Sequence, residues 1–321
     1  MGEGYVIDID NVSYTYGNNV KALSSVSIKS NLKDGILSIL GPNGAGKTTL
    51  VNLMTTSLPL QSGNIKLFGY DVNHQRKYVR SIVALCAQEL ELDLLLSVWA
   101  NLWSYGLIRG LKKEVLKQRI ELLLKQFEMY EKRNVRVLQL SGGEMRRVQI
   151  IRALLDETAK LIFIDEPTLG LDPIGRKVTW DIIKEMIKGG HYFVLTTNDM
   201  AEVERLSSEI IFLYKGIKIS ETSVEDFKRK YAGRIRVYIR TKDAVTKNCI
   251  EHWHSEKKLN IISGGAHEFT LECKDILALS NLFSEILNKG GGIQELSFQQ
   301  ETLEDAFINL IKSLGMENER N

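Results

Sequence analysis

Continuous apolar runs and alternating runs mark the strands of this chain. Ile36–Leu40 and residues 161–164 are apolar or nearly so, and residues 191–196 have a similar character. Such runs are typical of parallel strands that are covered on both faces of a sheet. Residues 5–11 and 20–28 instead alternate apolar and polar positions, as half-exposed strands do. The pattern therefore predicts an α/β fold with a buried sheet, preceded by half-exposed strands.

Between residues 89 and 139 the pattern changes to that of helices. Apolar side chains recur there at helix spacing, namely Val98, Leu102, Tyr105, Val115, Ile120, Leu123, Leu124 and Phe127. We predict a helical insertion over residues 89–139. Its first part, residues 90–99, is apolar for a connecting segment. That part either packs under the helices of the insertion or offers an apolar groove to a helix of a partner.

Residues 223–321 are predicted to form a second, smaller domain, which places the first domain at residues 1–222. A connecting helix over Val224–Tyr231 leads into strands and helices in the order βαββαβ. This order is typical of a ferredoxin-like α+β domain. A final helix is expected to start at Thr302, where Asp305 three residues later completes a pattern similar to a capping box.

Composition is that of an ordinary soluble globular protein. The 321 residues are 44% hydrophobic and 26% charged, and a net charge of +2 gives no overall field that would favour nucleic acid. The three cysteines fit a reducing cytosol and argue against a disulfide framework or a zinc site. Neither a signal-peptide pattern nor an apolar run long enough to span a bilayer is visible. A role at a membrane would therefore depend on a partner that carries the protein there.

A glycine-rich stretch, here called the phosphate loop (residues 41–49), predicts a phosphate-binding site. It matches the pattern G-x-x-x-x-G-K-[ST] and lies between Ile36–Leu40 and a helix expected over residues 48–57. Glycines let consecutive N–H groups turn toward one anion, and the helix dipole favours the same position. Lys47 can reach the outer phosphates of a nucleoside triphosphate, and the Thr48 hydroxyl can ligate Mg²⁺. The predicted binding residues are Gly41, Pro42, Asn43, Gly44, Ala45, Gly46, Lys47, Thr48 and Thr49.

A second polar loop containing glycines opens a helix expected over residues 145–154. Its sequence is Leu140-Ser141-Gly142-Gly143-Glu144, and residues 141–143 are here called the serine–glycine loop. Because the N-terminus of a helix attracts anions, this loop is a second anion-binding terminus. One triphosphate does not need two such helices from one chain. The two loops therefore indicate a site that is shared between two copies.

Two adjacent acids follow the apolar run at residues 161–164. Catalytic groups of open α/β sheets collect at the carboxyl ends of the strands. Asp165 is therefore placed to hold Mg²⁺, and Glu166 is the natural base for a water that attacks the γ-phosphate. As an alternative, one of the two acids caps the turn at Pro167.

Gln88 and Tyr16 each have two interpretations. Gln88 follows a strand expected over residues 81–87, where it could ligate the metal or orient a water, and a solvated glutamine is the alternative. Tyr16 could stack its ring on a nucleotide base or form a cross-strand aromatic pair with Tyr14. The residues alone leave both questions open.

Over about residues 4–222 these loops together resemble the nucleotide-binding subunit of an ABC transporter. The sequence at 140–144 is close to diagnostic for that family. The resemblance implies an ABC cassette, which combines a P-loop NTPase sheet with an antiparallel β subdomain and a helical subdomain. It also implies ATP and Mg²⁺ as ligands and a head-to-tail dimer that closes on two ATP molecules. Each ATP would lie between the phosphate loop of one copy and the serine–glycine loop of the other.

The same resemblance implies roles for single residues. Tyr16 is similar to the aromatic residue that stacks on adenine, and Gln88 is similar to the glutamine that couples the metal site to the membrane partner. Asp172 resembles the acid of a loop that crosses the dimer interface. The metal would be held by Thr48, Gln88 and Asp165. The catalytic residues would be Lys47, Gln88, Glu166 and Asn198.

Asn198 departs from the pattern of the family, which usually carries a histidine at this position. That histidine usually holds the γ-phosphate and orients the water. Asparagine can donate a hydrogen bond but cannot carry a proton or a positive charge. We therefore expect slower hydrolysis than is usual for the family, with intact ATP binding, or else an adequate replacement by Asn198.

A short motif near the end of the chain points to export. Residues 300–307, Gln-Glu-Thr-Leu-Glu-Asp-Ala-Phe, resemble the C-terminal motif of ATPases that serve drug, lipid or polysaccharide exporters with a separate membrane subunit. We therefore expect an ATP-hydrolysing subunit that powers export through a separate transmembrane permease. It would be a cytoplasmic protein, held peripherally on the inner face of the cell membrane. Its other partner would be a second copy of itself or a related ATPase subunit.

Two alternatives belong to different classes of protein. One is a soluble ABC-type ATPase that acts on nucleic acid or ribosomes. Such proteins typically carry two cassettes or a long coiled coil, and this chain shows neither of these features nor a basic stripe. No nucleic-acid partner is therefore expected. The other alternative is an ATP-sensing module with little hydrolysis, which only Asn198 supports.

Overall fold

The structure of the protein is a computed structural model. It describes residues 5–17, 19–231, 235–241, 243–265, 267–273, 276–299 and 302–313. The chain divides after Ser223 into two compact units. The strands of the first unit are β1 (Ile7–Thr15), β2 (Lys21–Ser30), β3 (Ile36–Leu40), β4 (Ser62–Leu67), β5 (Tyr70–Asp71), β6 (Val83–Cys86), β7 (Leu161–Asp165), β8 (Tyr192–Thr197), β9 (Glu209–Tyr214) and β10 (Ile217–Ser223). Its helices are α1 (Lys47–Met54), α2 (Arg76–Ile82), α3 (Val98–Ile108), α4 (Lys113–Gln126), α5 (Gly142–Leu154), α6 (Pro173–Lys188) and α7 (Met200–Leu206).

Two sheets build the first unit. The larger sheet has the strand order β10-β9-β3-β8-β7-β6, is parallel from β9 to β6, and gains β10 as an antiparallel edge strand. The smaller sheet has the order β2-β1-β4-β5 and is antiparallel. The predicted mixed sheet and antiparallel β subdomain are confirmed. Because β3, β8 and β7 are parallel neighbours, their carboxyl ends lie at one edge of the sheet.

The larger sheet is covered on both faces, and successive residues of β7 enter different cores. Ile162 and Ile164 pack in a core that contains residues of α3 to α6. Leu161 and Phe163 pack in a second core with residues of α1 and the smaller sheet. All four side chains are buried. A strand buried on both faces has no solvent-facing position, which explains the apolar run from Leu161 to Ile164.

Several predictions of local structure were wrong in their extent. The helices expected over residues 48–57 and 145–154 are α1 (Lys47–Met54) and α5 (Gly142–Leu154). The strand expected over residues 81–87 is shorter, because α2 continues to Ile82 and only β6 is extended. Val79 and Ile82 are both buried, and their i, i+3 spacing favours helix at that point. The insertion at residues 89–139 is helical in α3, in α4 and in two short 3₁₀ turns, Tyr130–Lys132 and Val137–Gln139. Residues 89–97 connect these elements to β6 without a helix.

The apolar segment at residues 90–99 is partly packed in the core and partly exposed, so each of the two expectations holds for some of its residues. Leu92 is buried and belongs to the core on the helical side of the sheet. Leu95 is 72% exposed. Exposed leucines of this segment are Leu90, Leu94, Leu95 and Leu96, here called the leucine surface. Core packing and an exposed apolar surface therefore coexist in one segment.

No helix in the described part of the chain is both long enough and apolar enough to cross a bilayer.

The second unit contains a four-stranded antiparallel sheet with the order β12-β13-β11-β14. Its elements are α8 (Val224–Tyr231), β11 (Ile235–Arg240), α9 (Ala244–Ser255), β12 (Asn260–Gly264), β13 (Glu268–Cys273), α10 (Ile276–Asn288), β14 (Glu295–Gln299) and α11 (Leu303–Ser313). Residues of β11, β13, α9 and α10 share one buried core. The observed order from β11 to β14 is βαββαβ, and the ferredoxin-like assignment of this unit stays a prediction. Thr302 and Asp305 form the expected reciprocal bonds, whereas Gln300 and Glu301 lie outside the described residues.

Asp243 caps α9 and joins three segments of the second unit. Its Oδ1 accepts a hydrogen bond from Thr246 N at 2.6 Å, and its Oδ2 accepts from Gly292 N and Thr241 Oγ1, each at 2.8 Å. These donors, the Thr246 N–H foremost, hold the pKa of the Asp243 carboxyl well below its usual value of 3.8. The ionised carboxylate is therefore the form that stabilises this unit.

Asp243→Asn should destabilise the second unit at neutral pH by about 1 kcal/mol, because the amide would turn an NH₂ group toward donors. The native pKa is depressed, so the stabilisation is present above the usual pKa of 3.8 and is lost as the pH falls below it. Thermal unfolding of both proteins over a range of pH should show their difference shrinking below that value. Asp181→Asn, at an exposed position of α6, is the matched control. A difference that stays constant with pH would contradict this account.

Candidate functional site

The carboxyl edge of the larger sheet borders a cavity of about 380 Å³. Helix α1 begins at Lys47, directly after Gly46, whose φ of 101° is left-handed. A Cβ atom at Gly46 would lie 2.6 Å from Ala22 O, so the loop requires glycine there. Lys47, Thr48 and Thr49 all line the cavity, which brings the N-terminal turn of α1 and its dipole to one wall. This wall suits an anion such as a triphosphate.

Lys47 lies across the phosphate loop and is bonded to it. Its Nζ donates to Gly41 O at 2.7 Å and to Pro42 O at 3.2 Å. Burial lowers the pKa of the Lys47 ammonium, and the nearby carboxylates of Glu166 and Asp165 oppose this effect. Lys47 therefore belongs to the same electrostatic cluster as the two acids.

Asp165 is bonded from both sides at the end of β7. Thr48 Oγ1 donates to its Oδ2 at 2.8 Å, and Thr196 Oγ1 donates to its Oδ1. The side chain is 2% exposed. Gln88, which is exposed, lines the same cavity. The structure thus brings together the three residues for which a metal role was predicted.

The donor set of this corner fits Mg²⁺. Thr48, Asp165 and Gln88 offer a hydroxyl, a carboxylate and an amide oxygen, and Mg²⁺ prefers oxygen ligands. Among the described residues, no group of three or more His, Cys, Asp or Glu side chains is arranged to hold a metal. Mg²⁺ usually keeps several waters and binds substrate phosphates as well as one or two carboxylates, so a single carboxylate such as Asp165 is sufficient on the protein side.

Glu166 reaches the cavity from a strained backbone position. Its φ is 54°, in the left-handed region, and its N–H donates to Thr196 O at 2.8 Å. The carboxylate accepts from Thr197 Oγ1 at 3.4 Å and from the main-chain N–H of Asn198. Burial raises the pKa of this carboxyl, the Lys47 charge lowers it, and the charge of Asp165 raises it further. A carboxyl with a raised pKa in a cavity is a candidate general base.

The aromatic pair of Tyr16 with Tyr14 is confirmed, and stacking of Tyr16 on a nucleotide base stays a prediction. Its ring lines the cavity beside the phosphate loop, and its hydroxyl is 3.1 Å from Thr49 Oγ1. The same ring makes an edge-to-face contact with Tyr14 at a centroid distance of 5.0 Å. The contact with Tyr14 therefore supports a ring that remains available to a base.

The serine–glycine loop is held by the capping box of α5. Ser141 Oγ accepts from Glu144 N at 3.3 Å, and Glu144 Oε2 accepts from Ser141 N at 3.0 Å. Lys132 pairs with the same carboxylate and is the main reason that the pKa of Glu144 is lowered. A Cβ atom at Gly143 would lie 3.0 Å from Gly170 O, which ties this loop closely to the next one.

Asp172 is the N-cap of α6. Its Oδ1 accepts from Gly175 N at 2.6 Å, and its carboxylate pairs with Arg147 at 3.1 Å. The Asp172 side chain is 60% exposed. It is therefore ordered by its own chain and still open to another molecule.

The predicted site residues fall into three groups. Those that line the cavity are Tyr16, Asn43, Gly44, Ala45, Gly46, Lys47, Thr48, Thr49, Gln88, Asp165 and Glu166. Gly41 and Pro42 hold Lys47. Those that neither line the cavity nor hold Lys47 are Ser141, Gly142, Gly143, Asp172 and Asn198. The roles of all these residues in ATP binding and hydrolysis stay predictions.

Sequence reasoning missed two residues that touch the backbone of this site, Arg146 and Gln149. Both are buried in α5, and both donate hydrogen bonds to main-chain carbonyls near Gln88. The signal was present in the chain, because two polar residues at i, i+3 share a helix face with apolar neighbours such as Ile150. Such spacing indicates polar side chains that are buried and therefore need hydrogen-bond partners inside the fold.

Comparison with known proteins shows which family this chain resembles in sequence. The family model described as ABC transporter matches residues 24–169. A daunorubicin resistance ATP-binding protein from Streptomyces coeruleorubidus is 34% identical over 235 residues, which cover 73% of each chain. A doxorubicin resistance ATP-binding protein from Mycobacterium tuberculosis is 35% identical over 223 residues, covering 69% of this chain and 67% of the relative. A second daunorubicin resistance ATP-binding protein from Streptomyces coeruleorubidus is 27% identical and covers 96% of this chain and 95% of its own length.

Solved structures of ABC cassettes align with this chain. A bacterial ABC transporter cassette determined as a dimer aligns with a TM-score of 0.62 and 26% identity, over 68% of this chain and 98% of the cassette. A post-hydrolysis form of that cassette, bound to ADP and phosphate, aligns with a TM-score of 0.61. The chain belongs to the ABC transporter family. Within that family it is an ATP-binding and ATP-hydrolysing subunit, and the alternatives outside transport are not favoured.

ATP turnover should fall on the acidic side as Glu166 becomes protonated, because a protonated carboxyl cannot accept the proton of the attacking water. Burial raises the pKa of this carboxyl in the nucleotide-free protein, so the acidic limb of kcat/KM, which reports the free enzyme, should have its midpoint above the ordinary value of 4.5. The value of kcat/KM measured from neutral to acidic pH tests this, with recovery after return to neutral pH as the control for unfolding. A midpoint at or below 4.5 would contradict the proposed environment of Glu166.

Proposed function

We propose that this chain powers an exporter as a head-to-tail dimer beneath a separate transmembrane permease. The observation that carries the proposal is the separation of two anion-binding helix termini within one chain. The N-terminus of α1 lines the cavity, whereas Ser141 and Gly142 are exposed and do not line it. A second copy, or a related ATPase subunit, would bring its own serine–glycine loop to the triphosphate. The relative solved as a dimer supports this arrangement.

Hydrolysis would proceed by attack of a water on the γ-phosphorus of ATP. The bond from the water oxygen to phosphorus forms while the bond to the bridging oxygen of ADP breaks, and the water proton passes to Glu166. Lys47 and the N-terminus of α1 stabilise charge on the phosphate oxygens. Thr48, Gln88 and Asp165 would hold Mg²⁺, which when bound supplies charge neutralisation on the phosphates.

The permease is proposed to contact the leucine surface. These exposed apolar side chains follow Gln88 closely in the chain, so a helix docked on them would lie next to a residue of the nucleotide cavity. The similarity to daunorubicin and doxorubicin resistance proteins supports a drug-like organic compound as the exported substrate. The chain would then be peripheral on the inner face of the cell membrane, with no nucleic-acid partner.

Glu166→Gln should lower ATP turnover by at least about 100-fold while leaving ATP binding intact, because the amide cannot accept the water proton and Lys47 is unchanged. ATP that cannot be hydrolysed should hold two copies together. Light scattering during size-exclusion chromatography should therefore show an ATP-dependent dimer of this variant.

Ser141→Arg in the Glu166→Gln background is the matched control for this dimer. It should abolish dimerisation without weakening ATP binding to the phosphate loop, because Ser141 does not line the cavity of its own chain. A dimer that persists in this double variant would contradict the shared site. Turnover that survives in Glu166→Gln would contradict the role of Glu166.

Asn198→His should raise ATP turnover by about 10-fold with little change in ATP binding, because histidine can hold the γ-phosphate with a charged donor and asparagine cannot. The Asn198 side chain is exposed, and its main-chain N–H already contacts the Glu166 carboxylate, so the change leaves that contact in place. Turnover and ATP affinity of both proteins are the measurements. Unchanged or lower turnover would show that Asn198 is an adequate replacement.

A further inference from the structure

Arg146 connects α5 to two other elements of the first unit. It is 6% exposed. Its Nη1 donates to Ala87 O at 2.7 Å, after β6, and its Nη2 donates to Glu166 O at 2.8 Å and to Asp165 O, at the end of β7. One planar guanidinium therefore spans the backbone before Gln88 and the backbone of both acids.

Gln149 completes this contact from the next turn of α5. It is 1% exposed, and its Nε2 donates to Ala87 O at 3.0 Å and to Glu89 O. Its Oε1 accepts from Arg146 Nη1 at 3.3 Å, which fixes the orientation of the amide. The carbonyls on both sides of Gln88 are thus held by side chains of one helix.

The acceptors of Arg146 are neutral oxygens. Its hydrogen bonds go to three main-chain carbonyls and to the Gln149 amide, and its Nε has no hydrogen-bond partner among the described residues. A buried charge without a carboxylate partner is weak support for stability, because its desolvation is not offset by an opposite charge. The main contribution of the Arg146 side chain is positional. Its rigid guanidinium sets the distance between the backbone at Ala87 and the backbone at Glu166.

We propose that Arg146, together with Gln149, is a positioning residue for ATP hydrolysis. The pair fastens α5 to the backbone of Gln88 and Glu166, so that these two residues and the serine–glycine loop at the start of α5 move together. Binding of the second copy's triphosphate at that loop would then be transmitted to the catalytic carboxylate. This inference rests on the proposed role of Glu166 and on the proposed shared site.

The test compares Arg146→Met, Arg146→Lys and Gln149→Leu with the native chain. Arg146→Met should lower kcat by about 10- to 100-fold with KM for ATP changed by less than about twofold, because the phosphate loop is untouched and the base is misplaced. Arg146→Lys should lose less, since an ammonium can still bond some of the carbonyls. Gln149→Leu should also lower kcat without weakening ATP binding.

Arg119→Met is the matched control for loss of a largely buried arginine, because the Arg119 side chain is 14% exposed. Arg119 contacts Leu154 O at 3.2 Å and pairs with Glu157 at 3.0 Å, away from the cavity. It should lower the melting temperature without a selective effect on kcat. ATP binding is measured for each variant in the Glu166→Gln background, and the folded fraction is measured by circular dichroism. If Arg146→Met fails to fold, Arg146→Lys and Gln149→Leu carry the test.

Folded Arg146→Lys and Gln149→Leu proteins with native kcat would overturn the inference. So would a loss of kcat that only follows the unfolded fraction, as expected for Arg119→Met. If Glu166→Gln itself retained turnover, the proposed function would have failed instead, and the two failures are therefore distinguishable.

Discussion

The burial of β7 on both faces is the constraint on which the site depends. A strand in this position can carry a polar side chain only where hydrogen-bond partners are available. β7 is therefore apolar up to Ile164, and its last residue, Asp165, is its first polar one. Asp165 is itself almost fully buried, and threonine hydroxyls from α1 and β8 bond its two oxygens. The phosphate loop and the acids are therefore set against each other by direct hydrogen bonds.

The electrostatic balance of the cavity follows from this placement. Glu166 is turned into the cavity by a left-handed backbone, a conformation that for a non-glycine residue costs of order 1–3 kcal/mol and is maintained by its surroundings. Burial disfavours both the Glu166 anion and the Lys47 cation, and the two opposite charges stabilise each other. The result is a carboxyl that protonates more easily than usual beside a lysine held by the phosphate loop.

The helical insertion is joined to this centre through α5. Arg109 pairs with the buried Asp156 at 2.6 Å, which links α3 to the end of α5. Arg146 and Gln149 link the same helix to the loops around Gln88 and Glu166. α5 begins at the exposed serine–glycine loop and carries these contacts along its length, so it can transmit a displacement between them when the packing has more than one arrangement.

Local sequence determined those parts of the protein that depend on neighbours in the chain. The phosphate loop, the acids after β7 and the capping box at Ser141 are local, because turn geometry, strand burial and helix capping act over a few residues. The start of β6 was missed because the buried face of α2 extends that helix by two residues into the expected strand.

Tertiary structure alone decided which distant groups meet. Tyr16 both contacts Tyr14 and lines the cavity. The spacing of residues in the sequence could not decide between these two positions. The partners of Arg146 are main-chain carbonyls, which every residue carries, so no residue type in the sequence identifies them. They become specific only when β6, β7 and α5 pack together. A polar side chain on a buried helix face indicates that it has a hydrogen-bond partner. Only the packed fold shows which group that partner is.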